Sequence, residues 1–235
     1  MPLNNNSESS KSSYLSDFVY GGIDGSVTTF AVVAGVAGAS LSSSIILILG
    51  FANLFADGFS MAVGNYLSAK SKREYIEKVR KGEERSVYMI PDEEREEIRE
   101  IFKQKGFFGT QLEDAVNVIT NNTEIWIDTM MKDEFGIFEE QKSPVHGALV
   151  TFIAFNIVGI IPLLAYVLSY FIPLLRDQAF LLSIGFTSCA FFIVGSVKGK
   201  IVEKKWYLSG LETLSVGGAA AVIAFLVGYF LKELI

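Results

Sequence analysis

Asp24 is a carboxylate set inside an otherwise apolar run from Phe18 to Ala39. Ionisable groups in such a run are costly to insert into a membrane and ordinarily face a protein interior or an ion pathway. Asp17 lies seven residues earlier, close to the same helical face, and Thr28 one turn later, so the three would line one stripe. A second apolar run carries Asn53, Asp57, Met61 and Asn65 at four-residue intervals, a slowly drifting ridge on a helix. A carboxylate, two amides and a thioether are all potential metal ligands. The soft sulfur of Met61 favours a transition metal over sodium, magnesium or calcium. The plainer reading is that Met61 is core and that Asn53 and Asp57 bond to neighbouring helices.

A third group lies between the second and third apolar runs. Glu94 and Glu97 are three apart, as are Glu93 with Glu96 and Glu97 with Glu100, so each pair shares a helix face. A Glu-x-x-Glu pair can hold a divalent metal when another helix adds further ligands, and Glu83, Glu84, Glu134, Met130 and Met131 are available suppliers. Against this, acids mixed with Arg95, Arg99 and Lys103 also read as a solvated surface.

The elements that must position these groups follow from composition. Half of the residues are hydrophobic, and most of the 20 Lys and Arg and 26 Asp and Glu fall between residues 70 and 142. That pattern describes an all-α, multi-pass membrane protein with one charged insert. The apolar runs are Phe18 to Ala39, Ser44 to Leu67, Val145 to Tyr170, Ala179 to Val197 and Leu211 to Leu231. The first is roughly 33 Å long as a helix, enough to cross the hydrocarbon core. Domains are therefore expected at 14–69 (spans 1 and 2), 70–143 (helical insert) and 144–235 (spans 3 to 5), after a polar, disordered tail at 1–13. Pro162 predicts a kink in the third span. Small residues such as Ala31 and Gly35, Gly35 and Gly38, and Gly217 to Ala221 would let helices approach closely.

Lys70, Lys72 and Arg73 follow the second run, and Lys198, Lys200, Lys204 and Lys205 separate the fourth from the fifth. The positive-inside rule then assigns the amino terminus and the insert to the cytosol and the carboxyl terminus to the far side. Within the insert, helices are expected over Ser71 to Arg85, Asp92 to Lys105, from a capping box at Thr110-Gln-Leu-Glu113, and over Asn122 to Glu134. His146 is the only histidine and reads as an interfacial residue; with Cys189 the only cysteine, the usual zinc spacings are ruled out. No phosphate loop or nucleophile elbow is present, and a net charge of −6 argues against nucleic-acid binding.

The segments Asp24-Gly-Ser-Val-Thr-Thr-Phe-Ala-Val-Val-Ala-Gly-Val-Ala-Gly-Ala39 and Ala52-Asn-Leu-Phe-Ala-Asp-Gly-Phe-Ser-Met-Ala-Val-Gly-Asn-Tyr-Leu-Ser-Ala-Lys-Ser71 closely resemble the vacuolar iron transporter family. The likeness continues through Pro91-Asp-Glu-Glu and Trp126-Ile-Asp-Thr-Met-Met-Lys-Asp-Glu134 into the last three spans. It implies a five-span homodimer, not an enzyme, that exports ferrous iron and often manganese from the cytosol in exchange for protons. The metal is a substrate and no tightly bound cofactor is expected. The family's first-span aspartates and second-span methionine match Asp17, Asp24 and Met61. Its cytoplasmic metal-binding residues match Glu83, Glu94, Glu97, Met130, Met131 and Glu134. This sequence departs at Ser86, where a glutamate is expected and Glu84 is the nearest substitute, and at Asn53 and Asn65, where many relatives carry an acid. The short amino-terminal segment suits a prokaryotic cell membrane at least as well as a vacuole-like organelle. Two other classes stay open: a metal sensor or store that moves no ion, and a membrane-embedded iron oxidase, although His146 has no glutamate three residues before it.

Overall fold

The computed structural model describes residues 5–137 and 142–234, and all regular structure among them is helical. Helix α1 spans Asn5–Gly38, α2 Ser43–Met89, α3 Pro91–Gln104, α4 Thr110–Thr120, α5 Thr123–Asp133, α6 Pro144–Gly159, α7 Ile161–Phe171, α8 Ala179–Ile201 and α9 Trp206–Leu231. Because α1 begins at Asn5, residues 5–13 continue a helix where a disordered tail was expected; residues 1–4 lie outside the described residues. Extending a helix nucleated elsewhere costs little when no Gly or Pro intervenes, and none does here. The chain divides into one unit formed by residues up to Leu67 and from Lys142 on, and a second unit from Ser68 to Gln141.

In the first unit α1 is the central helix, packed against α6, α8 and α9. Its closest approach is to α6. A Cβ on Gly21 would lie 2.6 Å from the carbonyl oxygen of Thr151, and one on Gly25 would lie 2.4 Å from that of Phe155. Both positions therefore require glycine. The contacts advance together along both chains, so α1 and α6 run parallel, as an intervening antiparallel span demands. Phe30, Val33, Ala34, Ile46, Leu163, Tyr166 and Phe191 form the main core, and Val19, Val158, Ala190 and Val194 a smaller one. Helix α2 is held chiefly by side chains: Leu54 is buried, and Gly58 faces the Phe155 ring.

Among the described residues four helices are long and apolar enough to cross a membrane. A fifth candidate span is the pair α6 and α7, bent by 46° at Ile160. Pro162 sits in the first turn of α7, where its missing N–H breaks the ladder, and Ser183 donates to its carbonyl at 2.6 Å. Ile48, Phe55, Phe59, Leu181, Ile193, Val222, Ile223 and Phe230 remain exposed. In water this would be a continuous apolar surface; in a bilayer it is the lipid-facing surface of a multi-pass membrane protein.

The second unit packs the end of α2 with α3, α4 and α5 around Val87, Ile98, Leu112, Val116, Trp126, Ile127, Met130 and Met131. Pro91 opens α3, and Asn122 caps α5 by accepting from the Glu124 and Ile125 amides. The expected capping box at Thr110 does not form. Gly109, with φ +61°, takes the N-cap position, and the Glu113 carboxylate is drawn instead to Arg99, whose Nε lies 2.8 Å from it. Residues 138–141, part of the expected insert, lie outside the described residues.

Candidate functional site

Two groups of polar side chains stand out, one in each unit. In the first unit the α2 ridge forms as expected: Asn53, Asp57, Met61 and Asn65 are all half-buried, at the margin between the packed face of Leu54, Gly58 and Ala62 and the exposed face of Phe55 and Phe59. Asp24 and Thr28 are half-buried on α1, and Asp24 lies close enough to Asp57 for the two charges to act on each other. The Thr28 hydroxyl donates to the Asp24 backbone carbonyl at 2.9 Å, leaving its lone pairs free to accept. Asn53 keeps a buried side-chain N–H group without a partner.

Asp17, seven residues before Asp24, is buried. Its Oδ1 accepts from the Asn65 amide at 3.1 Å, and the same amide donates to Thr151 Oγ1 at 2.7 Å. Lys142 Nζ stands 2.6 Å from its Oδ2. From the sequence, Asp17 belonged to the α1 stripe and Asn65 to the α2 ridge; the bond between them, and the parts played by Lys142 and Thr151, were missed. The available signal was topological: Lys142 precedes the helix-starting Pro144 at the same end of its span as Asp17 occupies in α1.

In the second unit Glu83 on α2, Glu94 and Glu97 on α3 and Glu134 after α5 share one field of negative charge. Glu94 is buried, and one of its carboxylate oxygens has no partner. Desolvation first, and then Glu97 and Glu83, push its pKa above the usual carboxylate range, with slight relief from the Ser86 hydroxyl. Glu83 is raised by desolvation and Glu97. Glu134 is pushed up to about 7 by desolvation and then by Glu97, Glu83 and Glu94. Glu84 does not join them: it is exposed and paired with Arg80 at 3.6 Å, because one residue along a helix turns the side chain about 100° away. Met130 and Met131 are packed in the apolar core rather than open to solvent. Among the described residues no three His, Cys, Asp or Glu side chains converge tightly enough to enclose a metal ion. The remaining acids of α3 are the solvated surface that the sequence also allowed: Arg99 bridges Glu96 and Glu113, and Lys103 meets Glu100.

The raised carboxyl of Glu134 has a consequence for stability. Its folded-state pKa of about 7 lies above the 4.5 of an ordinary glutamate, so its contribution is fully present below about 4.5 and lost as pH rises through about 7. Metal-free protein is expected to melt at progressively lower temperature over that interval, and Glu134→Gln to flatten the dependence. Thermal unfolding of the full chain in detergent and chelator, followed across pH, checks this; an unchanged slope in the variant would remove Glu134 as its source.

A family profile described as "VIT family" matches residues 15–229. A "Vacuolar iron transporter" of Toxoplasma gondii is 34% identical over 233 residues, covering 97% of this chain and 77% of the relative. "Vacuolar iron transporter 1" of Arabidopsis thaliana is 36% identical over 210 residues, covering 89% and 82%. A "Vacuolar iron transporter" of Plasmodium falciparum is 31% identical over 227 residues, covering 93% and 82%.

Proposed function

The chain belongs to the VIT family, and on that premise we propose that it carries ferrous iron, or a related divalent transition metal such as manganese, out of the cytosol in exchange for protons, as a homodimer. The observation that carries the reading is that Asp24 on α1 lies near enough to Asp57 on α2 for their charges to interact, with Met61 one turn further along α2, in helices long and apolar enough to cross a membrane. Two carboxylates close enough to interact in such a setting favour the binding of a cation or a proton. Hard oxygens with one thioether suit a transition metal. Protons and metal compete for the same lone pairs, so loading one releases the other.

The basic residues after the second span and between the fourth and fifth support a cytosolic amino terminus and insert. The four clustered glutamates of the insert attract cations from that side and bind by closing around them. Whether the membrane is that of a cell or of an organelle, the direction of transport is away from the cytosol.

Ferrous iron uptake into liposomes holding the purified chain, with and without an inside-acid pH gradient, tests the reading. Gradient-driven uptake is the expected result. Uptake indifferent to the gradient would replace exchange by uncoupled passage. Metal binding without any uptake would move the chain to sensing or storage.

A further inference from the structure

The ammonium of Lys142 stands where a metal ion would have to bind Asp17. The pair is 2.6 Å apart, with side chains only 16% and 11% exposed, and the other carboxylate oxygen is taken by Asn65. Asn65 spends its second amide hydrogen on Thr151, whose hydroxyl donates to the Gly147 carbonyl at 3.0 Å. Gly147 is part of the arrangement: a Cβ there would lie 2.8 Å from Lys142 Cε and 3.0 Å from Asp17 Oδ2, so a side chain at this position would push the end of the lysine stem aside. The lead into α6 is tied to α1 by the Ser143 amide, which donates to the Tyr14 hydroxyl at 3.2 Å.

We propose that Lys142 is a built-in competitor for Asp17: a tethered ammonium that neutralises the carboxylate while the path is empty and is displaced when a divalent cation binds. The proposal rests on the reading of Asp17 as a residue of the translocation path. A buried ion pair is a poor source of net stability, because desolvation offsets most of the attraction, and its loss leaves a buried charge seeking a partner. Here that property selects between ions. A monovalent ion offers Asp17 no more charge than the ammonium already supplies, whereas a divalent ion does. Lys142 therefore rejects sodium and potassium by competition and sets the concentration at which a divalent metal enters.

The test uses the purified full chain carrying Glu94→Gln and Glu97→Gln to quieten the insert, with Mn2+ as the probe read by its electron paramagnetic resonance signal. Adding Lys142→Gln is expected to tighten Mn2+ binding by roughly tenfold and to make it sensitive to potassium. Lys142→Arg should restore the native affinity, and adding Asp17→Asn to Lys142→Gln should abolish the gain. Should Lys142→Gln fail to fold, Gly147→Ala, which keeps both charges but crowds the lysine stem, is expected to tighten binding in the same way. Unchanged affinity in a folded variant, or a gain that survives Asp17→Asn, overturns the proposal. Mn2+ uptake by the native chain is measured in parallel. Tighter binding without uptake would retain the competitor and remove the transport reading; uptake without tighter binding would do the reverse.

Discussion

An Asp24→Asn chain is expected to fold and insert normally yet lose metal uptake into liposomes by at least about a hundredfold, the scale of removing one member of a buried charge set. The substitution is nearly isosteric. The Thr28 hydroxyl bonds to the backbone carbonyl of residue 24, which it retains. Gly25, one residue on, still meets α6 at Phe155. What is lost is one of the two interacting negative charges that α1 and α2 contribute. Asp57 alone can hold a proton or attract a cation, but it cannot neutralise a divalent ion, so a metal crossing that point would carry net charge in surroundings of low polarity. Proton exchange should disappear with metal uptake, because the same oxygens serve both. Undiminished, gradient-driven uptake by the variant would show that Asp24 is a packing residue and would leave the path to be sought elsewhere.

The spans and the site were legible in the sequence to different degrees, for physical reasons. A membrane crossing is a local property: some twenty apolar residues announce it, and a proline at position 162 announces its break. The ridge of Asn53, Asp57, Met61 and Asn65 was legible for the same reason, since helical spacing alone sets its face. Partnerships between distant residues are not local. Nothing in the segment around Gly21 and Gly25 tells that Thr151 and Phe155 pack against their backbone. Lys142 was one cation among many in a charged stretch, and nothing local marked it as the partner of Asp17. Glu83 and Glu84 were equivalent by composition, and the turn of the helix separates them: the first joins the acid group and the second faces Arg80. Met130 and Met131 were read as ligand suppliers, and in the structure both are packed in the apolar core of the second unit, a placement that no spacing within their own segment announces. The Thr110 cap failed because a competing partner, Arg99, lay fourteen residues away from Glu113.

The second unit offers the sharper separation between a binding site and an ordinary acidic surface. Replacing Glu94 and Glu97 by glutamine removes two of four carboxylates, among them Glu97, whose charge raises the pKa of Glu83, Glu94 and Glu134. If the group exists to bind metal, the full chain should lose roughly ten- to a hundredfold in affinity for Mn2+ or Co2+. Uptake should persist at saturating metal, with a higher KM, because the aspartates of the first unit are untouched. The same variant should melt at a higher temperature in chelator at pH 7, since the repulsion stored among Glu83, Glu94, Glu97 and Glu134 is relieved and Glu134 returns toward ordinary carboxylate behaviour. It should also gain less from added metal, because ligand stabilises the folded chain in proportion to how tightly it binds. A surface of solvated acids predicts neither change: its charges are already screened or paired, as Glu96 and Glu113 are by Arg99. A stability gain without any loss of affinity would mean that the four glutamates repel one another for no ligand's sake. Both shifts together would identify strain held in the apo protein and released by the ion.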